Sequence, residues 1–165
     1  MSDPTHDERC DHKTRPAGVL DVPRLLVVED DPLQRTLIVR AAEKAGYRAV
    51  AVESCPKALH RLETERFSCV TLDLTLEDGD GFDVMRQMAN AGCQVPVIVI
   101  SGMDASARRT FRARARELNV EILQSFPKPV DLAALRISLA NLRSATAGLP
   151  NLHWIGEIRI AEPAV

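Results

Sequence analysis

The chain has 165 residues, of which 45% are apolar and 27% are charged, a mixture typical of a globular protein of ordinary size. With 21 basic and 23 acidic residues its formal net charge is -2, so the overall charge does not favour binding to nucleic acid. Aromatic residues make up only 4%, which argues against a base-stacking surface. Composition therefore excludes a fully disordered chain, a collagen and a coiled-coil rod.

Residues 1–22 are polar, mixed in charge and without periodicity, and we expect them to form a disordered arm. They lack the apolar segment of a signal peptide, and no run in the sequence approaches the length that crosses a membrane. The spacing of the four cysteines fits no zinc site, and a disulfide framework is not expected in a chain that has a core and no signal peptide. We therefore expect a cytoplasmic protein with no membrane partner.

Residues 23–144 alternate short apolar runs with helical patterns, which predicts one α/β domain. The first strand, 24–29, is followed by Asp31 as a helix N-cap and Pro32 at the first helical position, and Gly46 ends this helix. The other predicted strands are 48–52, 69–74, 95–100 and 120–126, of which 95–100 is the most apolar and is expected to be central. A second helix is predicted directly after Ser54, which would be its N-cap. The other predicted helices cover 81–91, 104–118 and 130–142.

Five strand–helix repeats predict a doubly wound, five-stranded parallel sheet with helices on both faces. In such a sheet the functional crevice lies beyond the carboxyl ends of the strands. The tail, residues 145–165, follows the last helix, and its segment 152–161 shows a weak alternation of apolar residues. This tail is either an extra strand on a sheet edge, in this chain or in a partner, or a loosely docked segment.

Carboxylate, hydroxyl and ammonium side chains lie at the ends of four of the predicted strands. Glu29 and Asp30 end the first strand, Asp73 ends the third, Ser101 follows the fourth and Lys128 follows the fifth. Adjacent carboxylates repel one another and favour a divalent cation, and Mg²⁺ prefers carboxylate, carbonyl and phosphate oxygens. A carboxylate can also act as a nucleophile and form an aspartyl phosphate, whose oxygens the hydroxyl and the lysine would contact. The cluster therefore predicts a phosphoryl-accepting site that uses Mg²⁺.

Four segments carry a family resemblance: LLVVEDDP (25–32), TLDLTLEDGDGFDV (71–84), VIVISG (97–102) and FPKPV (126–130). In their order and spacing, residues 24–143 resemble the receiver domain of bacterial two-component response regulators. The resemblance implies a flavodoxin-like fold. It also implies that Gly102 is the small residue that leaves room for a phosphoryl group. The peptide between Lys128 and Pro129 is expected to be cis.

The resemblance implies a role for each residue of the cluster. Asp73 is the expected phosphoacceptor, Ser101 occupies the hydroxyl position of the family, and Lys128 is the lysine that pairs with phosphate. The expected Mg²⁺ ligands are Glu29, Asp30, Asp73 and the main-chain carbonyl of Thr75.

The resemblance also implies partners. Asp73 would take a phosphoryl group from a sensor histidine kinase or a histidine phosphotransfer protein, and the change would switch binding to a downstream protein. Catalysis would be self-directed, limited to acceptance and slow hydrolysis of the chain's own phosphoryl group, so we do not expect an enzyme. The short tail predicts a single-domain regulator, and the sequence leaves open whether it forms a homodimer.

Two positions depart from the family's usual pattern. Glu77 stands where a proline is common, four residues after the expected acceptor, and Ser125 stands where many members carry an aromatic switch residue, although Phe126 is adjacent. The stretch from Ser101 to Lys128 is also a few residues longer than is common. The usual hydroxyl-plus-aromatic switch is therefore not expected in its standard form.

Three other functions were weighed against this one. A haloacid dehalogenase-type hydrolase needs Asp-x-Asp, but here Asp73 is followed two residues later by Thr75, so the acid/base residue is missing. The acidic segment 76–83 fails the calcium-loop pattern, because counting back from its glycines reaches leucine where aspartate is required. The remaining alternative is a degenerate receiver that acts as a phosphorylation-independent interaction module.

Overall fold

The computed structural model describes residues 22–146. Its helices are α1 (Pro32–Lys44), α2 (Cys55–Thr64), α3 (Gly81–Asn90), α4 (Ala105–Glu117) and α5 (Leu132–Thr146). Its strands are β1 (Arg24–Val28), β2 (Arg48–Val52), β3 (Cys69–Asp73), β4 (Thr75–Leu76), β5 (Gly79–Asp80), β6 (Val97–Ser101) and β7 (Ile122–Pro127). Within this range no helix combines the length and apolar character needed to cross a bilayer. The predictions for the arm and for the tail beyond residue 146 lie outside the described residues.

Five strands form one parallel sheet in the order β2-β1-β3-β6-β7, which confirms the predicted fold class. Successive residues of a strand point to opposite faces. Leu25 and Val27 of β1 therefore belong to the core that contains residues of α1 and α5, whereas Leu26 and Val28 belong to the core that contains residues of α2, α3 and α4. The sheet is thus covered by helices on both faces.

All five helices begin at the carboxyl edge of the sheet, meaning the rim formed by the C-terminal ends of the parallel strands. Asp31, Ser54, Asp80 and Asp104 cap α1 to α4, and each side chain accepts a hydrogen bond from an amide of the first turn. Asp131 accepts two such bonds before α5. The predicted caps of the first two helices are confirmed, and aspartates accumulate at this edge for a structural reason.

The strand predicted to be a central one is an interior strand of the sheet, which confirms the prediction. β6, predicted as 95–100, begins at Val97 and lies between β3 and β7, while β3 takes the middle position. Both strands are buried throughout, and apolar character alone does not distinguish two such neighbours. α5 continues to Thr146, beyond the predicted domain boundary at 144, because no glycine or proline interrupts the sequence there.

The segment predicted as an acidic loop contains a short antiparallel hairpin. β4 pairs with β5 through two residues each, and the turn consists of Glu77 and Asp78. Strands of two residues are too short to leave a detectable period-two pattern, so the sequence did not predict them. The hairpin lies directly between the end of β3 and the start of α3.

One buried hydroxyl in the sheet lacks a partner within residues 22–146, and we expect its removal to be stabilising. Thr71 in β3 is 1% exposed, and its Oγ1 makes no hydrogen bond in this range. Thr71→Val keeps the shape and removes the unsatisfied polar group, so we expect the free energy of unfolding to rise by about 1 kcal/mol in urea denaturation. Thr36→Val is the matched control, because the exposed Thr36 hydroxyl donates to Pro32 O and its loss should not stabilise. A lower stability of Thr71→Val than of wild type would contradict the prediction.

Candidate functional site

Three of the predicted site residues meet at the carboxyl edge. Asp73, the last residue of β3, is 2% exposed, and Glu29, directly after β1, is 1% exposed. The Lys128 ammonium lies 2.7 Å from Asp73 Oδ2 and 2.9 Å from Glu29 Oε2. It also donates a hydrogen bond to Glu29 Oε1 at 3.1 Å. A largely buried cation therefore bridges two carboxylates that come from different strands.

Burial and charge act in opposite directions on this group. Burial raises the pKa of Glu29 above its usual value, the hydrogen bond from Lys128 opposes the rise, and the charge of Asp73 adds to it. Burial alone would lower the pKa of Lys128, but its hydrogen bonds and attraction to Asp73 and Glu29 outweigh that effect and raise it. Lys128 is therefore fully protonated at neutral pH and suited to pair with an anion.

Asp30 completes a cluster of acidic oxygens. One carboxylate oxygen each from Glu29, Asp30 and Asp73 lies within 4.8 Å of the others. Glu29 Oε2 is buried and lies 2.9 Å from the Lys128 ammonium, with which it forms an ion pair. Converging carboxylates of this kind are a donor set that fits a hard divalent cation such as Mg²⁺.

Thr75 contacts Asp73 through groups that the sequence did not single out. Its amide donates to Asp73 Oδ1 at 2.9 Å and its hydroxyl donates to the same oxygen at 3.0 Å. These two bonds fix the rotation of the carboxylate, while the other oxygen faces Lys128. The role predicted for the Thr75 main-chain carbonyl as a metal ligand stays a prediction.

Ser101 ends β6 at the same edge and is fully buried. Its hydroxyl oxygen accepts a hydrogen bond from the Met103 amide at 3.1 Å, and its carbonyl accepts one from the Lys128 amide at 3.1 Å. The peptide between Lys128 and Pro129 is cis, as the resemblance implied. Ser101 and Lys128 are thus held together through the backbone.

Sequence reasoning missed one basic residue at this edge. Arg35 Nη1 donates to the carbonyl oxygens of Glu29 at 2.8 Å and of Asp30 at 3.0 Å, which fixes the backbone of the acidic pair. The available signal was an arginine one turn into the helix that begins directly after that pair.

The β4–β5 hairpin is tied to two neighbouring loops. The Glu77 amide donates to Asp30 Oδ2 at 2.9 Å, and the Asp78 carboxylate accepts from the Cys55 amide at the start of α2 at 3.2 Å. These contacts depend on a turn that the sequence did not reveal. The segment that follows Asp73 is therefore anchored to the β1–α1 loop and to α2.

The aromatic residue next to Ser125 is part of the core. Phe126 is buried in the cluster that contains residues of α1 and α5, whereas Ser125 is only half-buried. Neighbouring residues of a strand point to opposite faces, so Phe126 cannot take the place of a side chain at position 125.

Comparison with known proteins agrees with this arrangement. A profile of the response regulator receiver domain matches residues 25–140. The sensor protein TorS of Escherichia coli is 35% identical over 124 residues, which are 74% of this chain and 13% of TorS. The swarming motility regulation protein RssB of Serratia marcescens is 35% identical over 130 residues, which are 79% of this chain and 57% of RssB. The chain thus spans little more than half of one relative and a small part of the other.

A solved structure shares the fold. The receiver domain of a sensor histidine kinase from Pseudomonas aeruginosa, solved with a magnesium ion coordinated in its active site cleft, superposes with a TM-score of 0.63. The match covers 74% of this chain and 98% of that domain at 24% sequence identity. At this identity the likeness shows the shared fold.

Proposed function

The chain belongs to the response regulator receiver domain family, and from this membership we propose that it is a phosphoacceptor of a two-component phosphorelay in which Asp73 receives the phosphoryl group. The observation that carries the proposal is the Lys128 ammonium, 2.7 Å from Asp73 and in contact with Glu29. A cation beside a buried carboxylate can pair with a phosphoryl oxygen once that carboxylate is modified.

The chain's own residues prepare Asp73 for this role. Thr75 holds the carboxylate through its amide and hydroxyl, and Lys128 contacts the other oxygen. Arg35 fixes the backbone of Glu29 and Asp30, so that their side chains stay beside the acceptor. Positioning of this kind supplies most of what phosphoryl transfer requires from a protein.

We assign the metal ligands to Glu29, Asp30 and Asp73, with the Thr75 carbonyl as a further ligand. Mg²⁺ bound there would neutralise negative charge on the incoming phosphoryl group. The converging carboxylates support this assignment. The magnesium-containing relative supports it by analogy.

The proposed donor is a phosphohistidine on a sensor kinase or a phosphotransfer protein, and the proposed setting is the cytoplasm. After transfer, Ser101 and Lys128 would engage the new phosphate oxygens. The bond that the Ser101 hydroxyl now accepts from the Met103 amide would be exchanged, which favours another arrangement of the loop and helix that follow. The altered surface would bind a downstream protein, and catalysis would stay confined to the chain's own aspartyl phosphate.

The test is labelling by small phosphodonors. Purified protein is incubated with Mg²⁺ and, in separate reactions, with acetyl phosphate or phosphoramidate, followed by intact mass measurement. We expect one phosphoryl group on wild type and none on Asp73→Asn, because the amide is not a nucleophile for this reaction. Asp83→Asn is the matched control, since the Asp83 side chain on α3 is 49% exposed and its loss should leave labelling unchanged.

Labelling of Asp73→Asn to the wild-type extent would refute the assignment of the acceptor. Failure of wild type with both donors and with a panel of phosphorylated histidine kinases would favour the phosphorylation-independent interaction module. Pull-down of partners with the unmodified protein would then be the next measurement.

A further inference from the structure

Exposed carboxylates surround the buried acceptor. Asp31, Glu77, Asp78, Asp80 and Asp104 all lie at the carboxyl edge with exposed side chains, and we call these five residues the acidic rim. A phosphodonor that approaches Asp73 must pass this rim. The rim therefore acts on the donor through its charge before any contact forms.

The basic side chains near the rim are already engaged. Lys128 contacts Asp73 and Glu29, and Arg35 donates to backbone carbonyls. Arg108 donates to the Met103 carbonyl, and Lys57 at the start of α2 forms an ion pair with Glu53. Lys128 and Lys57 are thus neutralised by carboxylates, and the charges of Arg35 and Arg108, which bind neutral carbonyls, offset the five carboxylates of the rim only in part.

Four of the five rim residues have a structural explanation. Asp31, Asp80 and Asp104 are helix N-caps, and Asp78 accepts a hydrogen bond from the Cys55 amide. Glu77 differs, because among residues 22–146 its carboxylate makes no hydrogen bond and no ion pair. Within this range no contact ties its charge to the stability of the fold.

The backbone nevertheless fixes the position of Glu77. It lies in the turn of the β4–β5 hairpin, and its amide donates to Asp30 Oδ2 at 2.9 Å. A proline at this position would lack both the amide proton and the charge. The backbone of Glu77 is therefore anchored beside the proposed metal ligands, and its side chain stays exposed to solvent.

We propose that Glu77 is a specificity residue for the phosphodonor, disfavouring dianionic small donors relative to less charged ones. The proposal rests on the proposed function, in which Asp73 is the acceptor. The natural donor that such a rim fits is a phosphohistidine on a protein surface with basic residues. This residue deters small anionic donors and attracts a protein donor whose surface is basic.

Two small phosphodonors transfer the same phosphoryl group to Asp73 but differ in net charge. With acetyl phosphate, an Asp73 oxygen bonds to phosphorus, the phosphorus–oxygen bond to the acyl group breaks, and acetate leaves with the bonding electrons. With phosphoramidate, the phosphorus–nitrogen bond breaks and the protonated nitrogen leaves as ammonia. Acetyl phosphate is a dianion at neutral pH and phosphoramidate is a monoanion. Removal of one negative charge from the rim should therefore increase the labelling rate with acetyl phosphate more than the rate with phosphoramidate.

The experiment compares initial labelling rates of wild type and Glu77→Gln with both donors, at saturating Mg²⁺ and at low and high ionic strength. Glutamine keeps the amide that binds Asp30. At low ionic strength we expect Glu77→Gln to accelerate labelling by acetyl phosphate about threefold and by phosphoramidate less, as a Coulomb interaction over several ångströms of water predicts. High salt should abolish the difference. Glu43→Gln, at the exposed far end of α1, is the matched control and should behave as wild type.

Equal acceleration with both donors, no acceleration, or an effect that persists at high salt would each overturn the role of Glu77. The same holds if Glu43→Gln reproduces the effect. Labelling of wild type at Asp73 in the same experiment shows that the proposed function stands even when the inference fails. Absence of labelling with both donors and with the panel of phosphorylated histidine kinases removes the proposed function and the inference together.

Discussion

Gly81→Ala should lower the free energy of unfolding by about 3 kcal/mol, the upper range for an overpacked buried site. A Cβ at Gly81 would lie 2.6 Å from the Asp73 carbonyl oxygen and 2.8 Å from the Leu74 Cα. Both are backbone atoms, so no rotamer change relieves the overlap. The hydrogen bond from the Gly81 amide to the Leu74 carbonyl, 3.2 Å long, fixes the same approach. Urea denaturation followed by circular dichroism measures the effect.

The same substitution at the neighbouring glycine of the site provides the control. A Cβ at Gly102 meets nothing within 4 Å, so Gly102→Ala should change the stability by less than about 0.5 kcal/mol. Equal stability of Gly81→Ala and Gly102→Ala would contradict the prediction that close packing sets the distance between α3 and the end of β3. Because Asp73 O is the contacted atom, Gly81→Ala should also slow phosphoryl labelling of the fraction that remains folded.

Lys128→Met should destabilise the protein by about 3 kcal/mol at neutral pH in buffer without Mg²⁺, because it leaves two buried carboxylates without their cation. Lys57→Met is the matched control. Lys57 pairs with Glu53 on the surface of α2, and loss of such a pair has little effect on stability. Urea denaturation of both variants beside wild type gives the comparison.

The loss should depend on pH in a defined direction. The pKa of Glu29 in the folded protein is raised above its unfolded value, so the folded state binds the proton more tightly. A group of this kind contributes stability below its unfolded pKa of about 4.3, and the contribution is lost as the pH rises through the folded value. Removal of Lys128 raises the folded pKa further. The deficit of Lys128→Met should therefore be smaller at acidic pH, near the unfolded value, than at neutral pH, and a deficit that does not change with pH would contradict the assignment.

Residues whose position follows from strand topology could be predicted from the sequence. Glu29, Asp73 and Lys128 follow strands that are parallel, and parallel strands bring their carboxyl ends to one edge whatever the details of packing. The structure brings these three side chains into direct contact. Cys69, predicted as a core residue, is fully buried, and burial raises its pKa to about 12.

Contacts that depend on the path of a short turn could not be predicted in this way. The bonds from Thr75 to Asp73 and from the Glu77 amide to Asp30 exist because the chain forms a two-residue hairpin after β3. Local propensity is weak at that length, and tertiary packing decides the backbone. The same limit applies to Arg35, whose role depends on the angle at which α1 leaves the sheet.

The aspartate caps at the carboxyl edge limit how this surface can diverge in evolution. Replacement of Asp31, Asp80 or Asp104 to suit a new donor would weaken the start of a helix at the same time. Substitutions that change the choice of partner are therefore expected at turn positions such as 77, where a new side chain does not remove a helix cap. A lineage that acquires a new kinase should show its first substitutions in the hairpin turn rather than at the helix starts.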